Sequence, residues 1–182
     1  GKNFNIKAPH YIVVTSNKGE DYLQNVGFAL EKVVLKLTSL GLATCWIESK
    51  LKREDILEFI NLDIQKRDEE DIETNLEEPI ISKKLDESWT EVLKAVRLAP
   101  SIKNTQPWMF YRKDNNIYIY EENQKKYIED MSKISMGIAL RHFDLACKNF
   151  EIDVRYEKTK FTRKLGKKYF ITAVLNNKLI EN

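Results

Sequence analysis

Cysteine is nearly absent from the chain: Cys45 and Cys147 stand far apart in 182 residues, with no Cys-x-x-Cys spacing. That excludes a disulfide framework or a thiolate metal centre as the organising device and reads as two buried free thiols. Histidine is as scarce. His142 lies in a helical pattern with no Ser, Cys or metal-ligand partner at useful spacing, so it and His10 are read as structural or surface residues. No apolar run approaches the ~18 residues of a membrane span and no secretory leader is visible, so a soluble cytoplasmic protein without a membrane partner is expected. An excess of one charge is missing too. Thirty Lys plus Arg against 28 Asp plus Glu leave a net charge of +2, too balanced for a nucleic-acid footprint.

What is present is periodicity. The run Tyr11–Val14 has the β-branched composition of a buried strand, and a turn at Asn17-Lys18-Gly19 follows it. From Tyr22 onward Val26, Ala29, Leu30, Val33, Leu37 and Leu40 recur at helical spacing, which predicts an amphipathic helix with a wide buried stripe. Glu31, Lys32 and Lys36 fall on its opposite, charged face. Gly41 fits the left-handed position after the helix, with Leu42 turning back toward Leu37. A strand from Thr44 to Ile47 and a short helix from Arg53 to Leu62 are expected next. The charged stretch from Asp63 to Asp86 then reads as a surface connector.

Ser88 and Glu91 have capping-box spacing ahead of an apolar face made by Trp89, Val92, Leu93 and Val96. A hairpin around Asp114-Asn115-Asn116 is predicted, as these residue types tolerate positive φ. A second long helix, beginning near Ser135, carries Met136, Ala139, Leu140, Phe143, Ala146, Cys147 and Phe150, and strands at Val154–Tyr156 and Tyr169–Leu175 follow. The two long helices align at a constant offset of 110 residues, with Gly27 matching Gly137. Helical periodicity explains the apolar matches. It does not explain a glycine in both first turns, where Gly costs up to ~1 kcal/mol relative to Ala. A pseudo-repeat in which two helices cross closely at paired small residues accounts for both.

The richest segment is Ala99 to Trp108, APSIKNTQPW. Pro100 ends the preceding helix, and Ser101, Asn104 and Gln106 then present a hydroxyl and two amides beside the flat ring of Trp108. From the residues alone this is either a ligand-recognition loop or an ordinary helix stop.

Ser101, Asn104, Gln106, Pro107 and Trp108 resemble the Pro-Ser-x-x-Asn-x-Gln-Pro-Trp signature of the FMN-dependent nitroreductase family. Asn25-Val26-Gly27, continuing through Leu37 to Glu48, resembles the long central helix of that family and the strand beyond it. The order of the two motifs is similar to the Thermotoga-type branch, in which two halves of one chain imitate a dimer, and the resemblance covers about Pro9 to Val174. It implies an α+β, nitroreductase-like three-layer fold: a mainly antiparallel central sheet flanked by helices, with an internal pseudo-twofold repeat. One domain over 1–182 is expected, its half-units near 9–62 and 87–176.

The resemblance also implies FMN as cofactor, NAD(P)H as co-substrate, a nitro compound, quinone or similar small molecule as electron acceptor, and a homodimer. Pro100, Ser101 and Asn104 would line the flavin ring and ribityl chain, and Gln106 would brace the loop. Trp46, Ile47, Glu48 and Ser49 match the strand end whose backbone N–H groups approach the flavin N5. No catalytic side chain and no metal ligand is implied. The family's opening Arg-x-Ser-x-Arg segment, which holds the flavin phosphate, has no counterpart before Pro9, so the chain is expected to begin partway into the pattern. The alternative is a non-catalytic flavin-binding or degenerate module of the same fold. Arg163, Lys164, Lys167 and Lys168 are read as a solvated basic surface in preference to a phosphate anchor.

Overall fold

Two six-residue runs, each with four consecutive large apolar or aromatic residues, make the first hairpin. In the computed structural model, which describes residues 8–14, 16–47, 87–159 and 167–176, these runs are β1 (Trp108–Lys113) and β2 (Asn116–Glu121). They pair antiparallel with Lys113 opposite Asn116, so the loop is Asp114-Asn115 and Asp114 supplies the positive φ, 52°. β3 (Val154–Glu157) and β4 (Lys168–Leu175) complete a four-stranded, wholly antiparallel sheet in the order β1-β2-β4-β3 among the described residues. β2 is central and buried along Ile117–Glu121, so both faces of the sheet are covered there.

Three helices accompany the sheet among the described residues: α1 (Tyr22–Ser39), α2 (Glu87–Arg97) and α3 (Glu129–Asn149). Phe143 of α3 joins helices and sheet into one core, its ring 6.2 Å from that of Trp89 on α2 and 5.4 Å from that of Phe110 on β1. Val92, Val96, Ile117, Ile119, Met136 and Ala173 are buried in the same cluster.

The crossing of α1 and α3 rests on the two glycines. A Cβ added to Gly27 would strike the Ile134 carbonyl oxygen and lie 3.1 Å from Ile138 N; one added to Gly137 would strike the Gln24 carbonyl oxygen and lie 2.8 Å from Phe28 N. Gln24 and Phe28 stand to Ile134 and Ile138 at the same 110-residue offset. The contact is reciprocal, as at a twofold interface, and the expected pseudo-repeat is present in the packing.

Several local expectations hold. Leu42 N donates to Leu37 O at 3.0 Å and Gly41 N to Thr38 O at 2.9 Å, with Gly41 at φ 76°, which is a Schellman ending. Others are corrected. α3 begins at Glu129, six residues before Ser135, with Glu129 and Asp130 in its first turn where the helix dipole favours acids. α2 begins at Glu87, so Ser88 already lies inside the first turn, and Glu91 accepts a bond from Lys94 at 2.6 Å.

The stripe on α1 is only partly covered: Gly27 and Glu31 are its buried residues, and Val33 and Leu40 are exposed. The strand expected at Thr44–Ile47 makes no ladder among the described residues, and Cys45 is exposed while Cys147 is buried.

The chain divides into two units, Gly1–Thr15 with Ile47–Glu78 and Ser16–Trp46 with Pro79–Asn182; everything above except Ile47 belongs to the second. In the first, Tyr11–Val14 forms no strand and all four side chains are exposed, Ile12 by 56% and Val13 by 55%. Strand propensity is conditional on a pairing partner, and composition does not report one. The short helix expected at Arg53–Leu62 and the connector at Asp63–Asp86 lie outside the described residues.

Candidate functional site

The helix stop at Pro100 turns into a loop with an unusual backbone. Lys103, Asn104 and Gln106 all hold left-handed conformations, at φ 49°, 53° and 43°. Such conformations are uncommon outside glycine and cost on the order of 1 kcal/mol each unless the surroundings fix them. Two hydroxyls do so here. Ser101 Oγ accepts from Gln106 N at 3.0 Å, closing the loop on itself, and Ser135 Oγ accepts from Ile102 N at 3.1 Å while donating to Met131 O at 2.9 Å. Ser135 is 2% exposed, so the loop is nailed to a buried point on α3. Thr105 Oγ1 is buried with no hydrogen-bond partner among the described residues.

The expected site residues divide into three groups. Ser101, Asn104 and Gln106 come together: Ser101 is half-buried, Asn104 is exposed, and Gln106 Nε2 donates a long bond, 3.4 Å, to Asn104 Oδ1. Pro100 is exposed beside them and Pro107 is buried. Trp46 is engaged elsewhere, its indole Nε1 donating to Glu31 Oε2 at 2.9 Å. Ile47 is half-buried, and Glu48 and Ser49 lie outside the described residues.

Glu31 overturns its placement on the charged face of α1. It is 1% exposed, and its other oxygen lies 2.9 Å from His142 Nε2, while His142 Nδ1 lies 3.0 Å from Ala95 O. A carbonyl oxygen only accepts, so His142 Nδ1 is the donor to Ala95 O, and Nε2 faces the Glu31 carboxyl group. One carboxylate and one imidazole thus join α1, α2 and α3. The pseudo-equivalent of Glu31 is Arg141, which reaches back to α1: its Nε donates to Phe28 O at 2.8 Å and its guanidinium lies 3.5 Å from the Phe28 ring centroid.

Several other ionisable groups are tied into the fold. Buried Asp144 accepts from Arg141 at 3.2 Å, Lys148 at 2.8 Å and the Tyr156 hydroxyl at 3.3 Å. Burial, with Asp144 adding to it, pushes the Cys147 thiol up to about 12 and the Tyr156 hydroxyl well above its ordinary range, so neither ionises near neutrality. Lys167 bonds Glu122 at 2.6 Å and Lys168 bonds Glu129 at 2.5 Å, as members of a surface ion-pair network. Arg163 and Lys164 lie outside the described residues. No group of three metal-ligating side chains and no membrane-length apolar helix occurs among the described residues.

An antiparallel sheet, a glycine-crossed helix pair and a polar, pinned loop after a helix stop define an α+β protein with the nitroreductase-like fold. A crystal structure of a putative nitroreductase from Thermotoga maritima MSB8 is similar to it, with a TM-score of 0.59 and 23% identity over 88% of this chain and 68% of that one. The family described as "Putative TM nitroreductase" matches residues 1–147, and the chain belongs to it. No curated protein matches. Family and fold together support an oxidoreductase role.

Proposed function

We propose that this protein is an FMN-dependent oxidoreductase that takes hydride from NADH or NADPH and passes it to a nitro compound, quinone or similar small acceptor. The observation that carries the reading is the Pro100–Trp108 loop, strained at three non-glycine residues and anchored on buried Ser135. Strain maintained in this way points to ligand contact, because an ordinary helix stop has no reason to keep it.

The donor set suits a flavin. Ser101 Oγ accepts from Gln106, and its own O–H finds no acceptor among the described residues. The exposed Asn104 amide keeps its N–H donors for a carbonyl or ribityl oxygen, with Gln106 holding its Oδ1. Pro100 offers an exposed apolar edge beside them. FMN supplies the two-electron chemistry when bound; the chain orients the reactants and needs no nucleophile. Trp46, Ile47, Glu48 and Ser49 complete the proposed cofactor set. Two free thiols suit a reducing, cytoplasmic location. A homodimer is part of the proposal, supported by the exposed apolar residues Val33, Leu40 and Leu42 on and just beyond α1.

Titrating FMN fluorescence quenching against wild type, Ser101→Ala and Asn104→Ala tests the site. Each variant should lose one bond worth about 0.5–1.5 kcal/mol, weakening FMN binding roughly 2- to 13-fold. Equal affinities for all three proteins would remove the loop from the flavin site. Yellow protein that NADH and NADPH both fail to bleach without oxygen would favour a binding module over an enzyme.

A further inference from the structure

Beside the signature residues stands an aromatic ring that the core does not use. Tyr127 is 65% exposed, in the short turn Lys126–Ile128 that opens α3. Lys103 reaches it across the loop, its Nζ 4.7 Å from the ring centroid. The left-handed backbone at Lys103 is therefore coupled to a definite outcome: an ammonium group set against an open aromatic face.

The charges around this ring are unbalanced in a specific way. Glu129 is held by Lys168 at 2.5 Å and approached by Lys133 at 3.9 Å, Asp130 is held by Lys133 at 3.2 Å, and Glu122 is held by Lys167 at 2.6 Å. Glu129, Asp130 and Glu122 each have a lysine at close range already; among the described residues Lys103 and Lys125 have no ion-pair partner, and Lys126 acts on Glu129 only from beyond ion-pair distance. Exposed cations next to an exposed ring are the combination that recognises a phosphate attached to a planar base, through charge-assisted bonds to the one and stacking on the other.

From this we infer that Lys103, Tyr127 and Lys126, with Lys125 beside them, form a docking site for a phosphate-bearing nucleotide at the edge of the signature loop. The inference deepens the proposed reading and rests on it only for the nucleotide's source, which is either the flavin nucleotide or the nicotinamide dinucleotide.

ADP is the probe. Wild-type protein should bind it saturably with shifts of the Tyr127 ring resonances, and adenosine, which lacks the phosphates, should bind more weakly. A Lys103→Gln/Lys126→Gln variant should bind ADP about tenfold more weakly, Tyr127→Ala should lose the stacking share, and Tyr127→Phe should restore it. Thermal unfolding should stay constant across the set, since all three side chains are exposed. If the double variant loses affinity for FMN but not for riboflavin, the flavin phosphate is the occupant. If it raises the KM for NADPH at constant kcat and leaves the FMN-to-riboflavin ratio alone, the dinucleotide is. Wild type that binds ADP at Tyr127 yet takes up no flavin upholds the site and overturns the flavin reading. Equal ADP binding by wild type and the double variant, or none by wild type, overturns the site.

Discussion

α1 and α3 carry nearly the same apolar pattern and meet very different fates. Of the 18 residues of α1 only Gly27 and Glu31 are buried, whereas α3 buries 11 of its 21. Ala29 is exposed and Leu30 half-buried, while their counterparts Ala139 and Leu140 are buried. The cause is company. α3 meets α1, α2 and, through Phe143, the sheet, so three sides of it are used. Among the described residues α1 packs chiefly on α3. A helical stripe states which residues can be buried, and the number of neighbouring elements decides which are.

The comparison breaks most easily at the crossing the two helices share. Gly137→Val would force a branched side chain into the backbone of α1 and should cost at least about 4–5 kcal/mol, a size reserved for severe core disruption. Urea unfolding is the measurement; a midpoint within error of wild type at unchanged slope would mean that the helices do not cross at the glycines.

Next in size is Glu31→Ala, which leaves the Trp46 indole N–H and His142 without their acceptor and should cost about 3 kcal/mol. A double-mutant cycle with His142→Leu sharpens it. The two losses should fall well short of additivity, because the first already breaks the bridge between the helices. Full additivity would show that Glu31 and His142 do not act on each other.

The smallest effect on folding belongs to the open side of α1. Leu40→Lys should change monomer stability by no more than about 0.5 kcal/mol, as surface substitutions do. If the exposed face is where two copies meet, the same change should convert a dimer to a monomer in light scattering. Wild type running as a 21.4 kDa monomer would remove the dimer from the proposal.

The glycine pairing, the Schellman ending and the Asp114 hairpin were legible in the sequence because each depends on a local rule with few exceptions. The Ser101–Trp108 loop was legible as a motif, though its left-handed backbone was not. Lys103 and Asn104 owe that conformation to anchors such as Ser135, 33 positions from Ile102. Glu31 was misread for a related reason. Its helical angle set it among lysines, and nothing local could disclose a histidine 111 residues away. Tyr11–Val14 and Thr44–Ile47 failed in the opposite direction, with local strand preference outrunning the presence of a partner strand among the described residues. Propensity and pattern were reliable where the decision was local, and failed where a distant group made it.

The contact at Gly27 and Gly137 has a mechanical consequence. Elsewhere in the core, side chains separate the backbones and can change rotamer to absorb a displacement. Here main chain rests on main chain, so no compliant layer lies between the helices at that point. Sliding would drive carbonyl oxygens into the opposing chain, whereas turning about the contact would not, and the crossing constrains the pair in the manner of a scissor pivot. Small relative rotations of α1 and α3 would be magnified toward their ends, and the signature loop is fastened to α3 at Ser135, two residues from that pivot. The loop is thereby attached where the lever arm is shortest and the frame moves least.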